Sequence, residues 1–247
     1  MIFRLNSNDT RSLRRVLIII SLFSISMGFL ESAVVVYMRD ILYPGGFDFP
    51  LAPIDSHLAL TEILREAATI IMLFTVGILA GRNTSERFAW FLYSFAVWDI
   101  FYYVFLKLLI GWPASLLSWD ILFLIPVTWV GPVIAPVIVA LTMILFALII
   151  LHYSYSSRTS YISNLQWILL VSGSIVLIIS FTWDYSGFIL ENHSFSEIWT
   201  LPKGSLYELA TSYVPRKFNW WMFCLGEGII LAGIILFYRQ IQRSEQV

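Results

Sequence analysis

The sequence predicts an all-α, polytopic membrane helix bundle with six transmembrane helices and a proline-broken segment before the fourth. Residues 1–247 form a single transmembrane domain in this reading. Two observations carry the expectation. The chain is 59% hydrophobic and only 13% charged, against roughly 25% charged residues in an ordinary soluble domain. A water-soluble fold of this length would expose apolar patches far larger than a soluble monomer tolerates. In addition, the apolar residues fall into six stretches, each close to the roughly 20 residues that cross a hydrocarbon core about 30 Å thick. The spans are placed at 16–38, 57–80, 88–110, 132–151, 165–183 and 218–237.

The first span follows Arg4, Arg11, Arg14 and Arg15, an arrangement that also opens secretory signals. Its apolar run is longer than a signal core and lacks a small-x-small cleavage site, so it reads as an uncleaved span. The second and third spans are joined by the tight turn 81–86. Before the fourth, residues 121–151 form one long, uncharged and largely apolar region that would make one helix of about 46 Å at about 1.5 Å per residue. Pro126, Gly131, Pro132 and Pro136 break it, because proline removes a donor and disfavours helix in the residue before it. A half-helix or interfacial segment is expected over 113–125, the alternative being one kinked helix.

Orientation follows from Lys and Arg. With the N-terminus inside, Arg4, Arg11, Arg14, Arg15, Arg82, Arg87, Arg158, Arg239 and Arg243 face the cytoplasm, and Arg39, Lys107, Lys203, Arg216 and Lys217 face outward. Nine against five predicts both termini in the cytoplasm, and the plasma membrane is the expected location. The longer segments 39–56 and 184–217 then lie outside, where Trp112, Trp119, Trp129, Trp183, Trp199, Trp220 and Trp221 would form an aromatic belt.

Composition also excludes functions. A net charge of −1 gives no basic domain for nucleic acid. Cys224 is the single cysteine, which rules out an intramolecular disulfide and a thiolate metal cluster. His57, His152 and His193 lie near membrane faces, leaving no mid-span histidine pair for a b-type haem. No H-E-x-x-H zinc motif occurs, and Ser172-Gly173-Ser174 has no histidine base at its depth, so the triplet reads as helix packing. No cofactor or metal is expected. His193 reads as a solvated loop histidine, and Asn192-His193-Ser194 is a weak glycosylation pattern.

The acids inside the spans carry the functional expectation. Glu31, Glu62, Glu66, Asp99 and Glu227 fall at mid-depth or in the outer half, where a charged carboxylate costs several kcal/mol unless paired, protonated or wet. Glu62, Arg65, Glu66 and Thr69 follow i, i+3, i+4, i+7 and share one helix face. Asp99, Tyr103 and Lys107 line a second, and Ser21, Ser24, Gly28 and Glu31 form a small polar strip suited to close helix approach. Glu227 lies between Gly226 and Gly228. Helix packing alone would account for one or two such groups. Five acids against Arg65 and Lys107 leave an excess that pairing cannot cancel.

These residues predict a small transporter or permease-like protein with an outward-facing, carboxylate-rich cavity that binds a proton, a cation or a cationic small molecule. Glu31, Glu62, Glu66, Asp99, Tyr103 and Glu227 are its candidate ligand- or proton-binding groups, with Arg65 tuning the acids. The lipid bilayer is the expected partner. The competing expectations are an embedded enzyme using carboxylate acid/base chemistry on a lipid or isoprenoid, and an accessory subunit of a membrane complex.

Overall fold

In the computed structural model, residues 7–125, 127–156, 161–192 and 211–243 are described. Arg4, Pro126, Arg158, His193, Ser194, Trp199 and Lys203 lie outside them. Six helices run α1 (Ser7–Leu42), α2 (Ser56–Ala80), α3 (Thr84–Ile110), α4 (Ile134–Tyr155), α5 (Asn164–Asn192) and α6 (Trp220–Arg243). Each is long and apolar enough to cross a membrane. Between α3 and α4 stand two antiparallel strands, β1 (Trp119–Phe123) and β2 (Trp129–Pro132).

The outer surface of the spans is apolar: Ile41, Leu79, Leu108 and Trp221 all stand exposed. Polar side chains turn inward, with Ser24, Ser32, Glu66, Thr69 and Glu227 buried. That inversion of the soluble pattern is what a helix bundle in lipid requires. The protein is a multi-pass membrane protein.

Helix ends follow local chemistry. The Asp55 carboxylate accepts the His57 amide at the start of α2, and Asn83 accepts the Glu86 amide at the start of α3, each satisfying a donor that the first turn leaves free. Gly111 closes α3 in the left-handed conformation, φ 71°, which glycine adopts without a side-chain clash. Lys107 donates to the carbonyls of Gly111 and Pro113 at 2.9 and 2.8 Å. It therefore caps α3 and turns away from the Asp99 face on which spacing placed it.

Small residues set the helix spacing. A Cβ at Gly28 on α1 would stand 3.0 Å from the Trp98 carbonyl oxygen of α3, so only glycine permits this approach. One turn on, Ser32 donates to the Tyr102 carbonyl at 3.0 Å, and Ser21 shares a hydrogen bond with the Tyr93 hydroxyl at 2.8 Å. Ser21 and Gly28 of the strip predicted on α1 make the α1–α3 contact, whereas Glu31 turns to α2. Gly173 of α5 and Gly226 of α6 meet in the same way.

The break before α4 is present, and the segment preceding it is not the expected half-helix. β1 and β2 pair as a hairpin, with Asp120 opposite Gly131 and Ile121 opposite Val130. Prolines exclude a continuous helix, and the flanking Trp119, Ile121, Phe123, Trp129 and Val130 favour strand. Pairing satisfies the backbone groups that a broken helix would leave bare in a poorly solvated place. Gly131 lets the rings of Phe181 and Phe218 press on β2, while Phe123 packs on Phe95 and Trp98 of α3.

Two further differences matter. Helix α1 continues to Leu42, so Arg39 belongs to a helix instead of an outer loop and is buried. Glu86, placed by sequence in the tight turn between the second and third spans, is fully buried. Its carboxylate accepts Arg82 at 2.8 Å and the Ser154 hydroxyl at 2.6 Å, tying the α2–α3 turn to the end of α4.

Candidate functional site

Three helices and the hairpin bring polar groups together. On α2 the i, i+3, i+4 spacing turns Glu62, Arg65 and Glu66 to one side, where α1 presents Glu31. Arg65 pairs with Glu31 through one guanidinium nitrogen and with Glu62 through the other. One cation thus serves two carboxylates from two helices. The shared helix face would allow Arg65 either Glu62 or Glu66; it takes Glu62, with Glu31 added from α1.

Glu66 is engaged elsewhere. It is 7% exposed, and its carboxylate accepts the Leu124 amide, with Oε2 at 2.9 Å and Oε1 at 3.2 Å. Leu124 follows β1 directly, so an acid of α2 holds the hairpin in register with the helices. Glu62, Arg65 and Glu31 are its charged neighbours.

A second group lies where α1, α3 and β1 meet. Arg39 pairs with Asp120 at 3.3 Å, both nearly buried. The guanidinium is held between aromatic faces, 4.3 Å from the Phe47 centroid and 3.9 Å from that of Trp112, an arrangement that favours the cation after desolvation. Burial pushes the Asp120 carboxyl up to about 7 against the opposing pull of Arg39. Asp99 is within electrostatic reach of Asp120. The Tyr103 hydroxyl is close to Asp120 and Asp99 without a hydrogen bond of good geometry.

The two groups adjoin. Tyr102 on α3 is within electrostatic reach of Asp120 and Arg39 and also of Glu31 and Arg65. Five carboxylates, Glu31, Glu62, Glu66, Asp99 and Asp120, thus share one polar region with two guanidiniums. No family model, curated protein or solved structure matches the chain. The region's chemistry is therefore read from its own residues.

Full ionisation would leave three negative charges in excess, which a weakly solvated environment opposes. Among the described residues, no three His, Cys, Asp or Glu side chains gather to hold a metal ion. What the arrangement can do is take up protons or meet a cation.

Glu227 stands apart. Its Oε2 accepts the Thr142 hydroxyl of α4 at 3.0 Å, and no acid of α1, α2 or α3 is among its charged neighbours. The residues missed by sequence reasoning are Arg39 and Asp120. Asp120 belongs to a Trp-Asp pair that recurs at Trp98-Asp99, Trp119-Asp120 and Trp183-Asp184, whereas no local pattern marks Arg39. Asp184 has a structural use: it accepts the Tyr213 hydroxyl at 2.8 Å and the Arg216 amide at 3.0 Å.

Proposed function

We propose that the protein is a small carrier of the permease type that binds a proton or an organic cation at the carboxylate region between α1, α2, α3 and the hairpin. The single observation behind this reading is the surplus of acid: Arg65 serves Glu31 and Glu62, Arg39 serves Asp120, and among the described residues Glu66 and Asp99 have no cation of their own. Intramembrane acids of this kind are the usual substance of proton relays and ion sites. A non-helical segment beside them is a recurrent feature of transporter binding sites.

Glu31, Glu62, Glu66 and Asp99 supply the negative charge, Arg65 and Arg39 limit how many protons are needed for neutrality, and Tyr102 and Tyr103 supply hydroxyls. The outer face is the side of access in this reading, with both termini cytoplasmic and the plasma membrane as location, on the Arg distribution. The lack of a three-ligand cluster among the described residues favours a proton or organic cation over a metal ion that needs several protein ligands.

The test is flux. Purified protein in liposomes containing a pH-sensitive dye is exposed to tetramethylammonium, spermidine, sodium or potassium on one side. Cation-dependent proton movement that disappears in Asp99→Asn, with the variant still monodisperse in detergent, supports the carrier. No flux for any cation and no cation-dependent rise in Tm overturns it.

A further inference from the structure

The other half of the bundle holds an acid that the region above does not use. Glu227 lies two turns into α6, 7% exposed, against α4 and α5. One oxygen, Oε2, accepts the Thr142 hydroxyl at 3.0 Å. The other, Oε1, is buried with no hydrogen-bond partner among the described residues.

Among the described residues, the groups around it are uncharged, and beyond burial only the Thr142 hydroxyl acts on the Glu227 carboxyl. The titratable groups of α4, His152, Tyr153 and Tyr155, are at the opposite end of that helix from Ile134. On α5, Asp184, Tyr185 and Glu191 are in the last turns before Asn192. On α6 itself, Cys224 is exposed, and Tyr238, Arg239 and Arg243 lie three or more turns further along.

Among the described residues, Glu31 and Glu62 have Arg65, Glu66 has the Leu124 amide, Glu86 has Arg82 and Asp120 has Arg39, while Asp99 lies beside Asp120 in the first region. Glu227 has one neutral hydroxyl. A bare carboxylate in such a place is far less favourable than a neutral carboxyl short of one hydrogen bond. A metal ion is poorly served, because one carboxylate and one hydroxyl are too few oxygens for sodium, calcium or magnesium.

We propose that Glu227 and Thr142 form a separate proton site in the α4–α5–α6 half, with Glu227 carrying the proton on Oε1 and Thr142 donating to its carbonyl oxygen. The site extends the carrier reading and rests on it only for the proton's use: there it is the second titrating position, isolated from the Arg65 and Arg39 pairs. Glycines flank it at 226 and 228. Gly226 brings α5 close, whereas Gly228 is exposed with nothing within 4 Å of a Cβ there.

Infrared spectroscopy of the protein in lipid tests the site without any need for flux. A protonated carboxyl gives a carbonyl band above the amide band, which an ionised one lacks. At pH 7 the wild-type protein should show a band missing from Glu227→Gln, and in Thr142→Val that band should move to higher frequency as the hydrogen bond is lost. Asp99→Asn should leave it in place. A Glu227 band that emerges only near the ordinary glutamate value of about 4.3, or identical spectra for wild type and Glu227→Gln throughout, overturns the proposal. Liposomes without flux but with the band intact would refute the carrier and leave the proton site standing.

Discussion

The Glu66 carboxylate of α2 accepts the backbone amide of Leu124, at 2.9 Å to Oε2 and 3.2 Å to Oε1. This side-chain contact joins the acid-bearing helices to the hairpin that interrupts the chain before α4. In Glu66→Gln the side-chain carbonyl still accepts the amide, so the fold is retained. In Glu66→Ala the Leu124 amide loses its partner, with an expected penalty of about 1–3 kcal/mol for a buried unsatisfied donor. Hydrogen exchange at Leu124 checks this. Equal protection in Glu66→Gln and Glu66→Ala would show that the hairpin is held by its apolar contacts alone.

Arg65 is the shared counter-charge for Glu31 and Glu62. Arg65→Gln leaves both carboxylates without a cation and, because the three groups are half-buried, is expected to destabilise by less than the roughly 3–5 kcal/mol of breaking a fully buried pair. Lys107→Gln removes only a cap on α3 and should change stability by less than about 1 kcal/mol. Thermal unfolding in detergent compares them. Adding Glu31→Gln and Glu62→Gln to Arg65→Gln should restore part of the loss, and its failure to do so would locate the role of Arg65 in packing.

Asp120 makes stability depend on pH. Its carboxyl moves from 3.8 to about 7 through burial, which outweighs Arg39. The native state then holds a proton that the unfolded chain has released, so this contribution is full below 3.8 and declines as pH rises through about 7. Tm measured across that window should fall more steeply in wild type than in Asp120→Asn. Parallel profiles would mean that Arg39 keeps Asp120 ionised throughout.

Asp99→Asn imitates a protonated acid beside Asp120. It should leave Tm within a few degrees of wild type and abolish proton-coupled flux. Retained flux would remove Asp99 from the proposed path.

Topology is checked with single cysteines after Cys224→Ser. Cysteines at Ser85 and Gln242 should resist a membrane-impermeant thiol reagent in intact cells, and one at Asp48 should react. The opposite pattern would invert the bundle and put the acid region on the cytoplasmic side.

The sequence by itself determined the number of spans, because 18–25 consecutive apolar residues have one stable use in lipid, and it determined that the fourth is preceded by a break. Helical spacing also put Glu62, Arg65 and Glu66 on one face, since residues three and four apart must share it. Gly28 in a serine-rich strip likewise marked a close helix contact. None of these needs knowledge of a neighbouring element.

Which acid meets which partner was decided only by tertiary structure. Spacing along α2 pairs Arg65 with either glutamate equally well; the approach of α1 brings in Glu31, and the hairpin's amide takes Glu66. Arg39 and Asp120 are 81 residues apart, and local pattern carries no information about their contact. Prolines announced the break but not its form, because a half-helix and a hairpin differ in whether the freed backbone groups find partners across the chain. Glu227 is set apart for the same reason: its depth along a helix could be read from the chain, but the helices facing it are fixed by how α4, α5 and α6 pack.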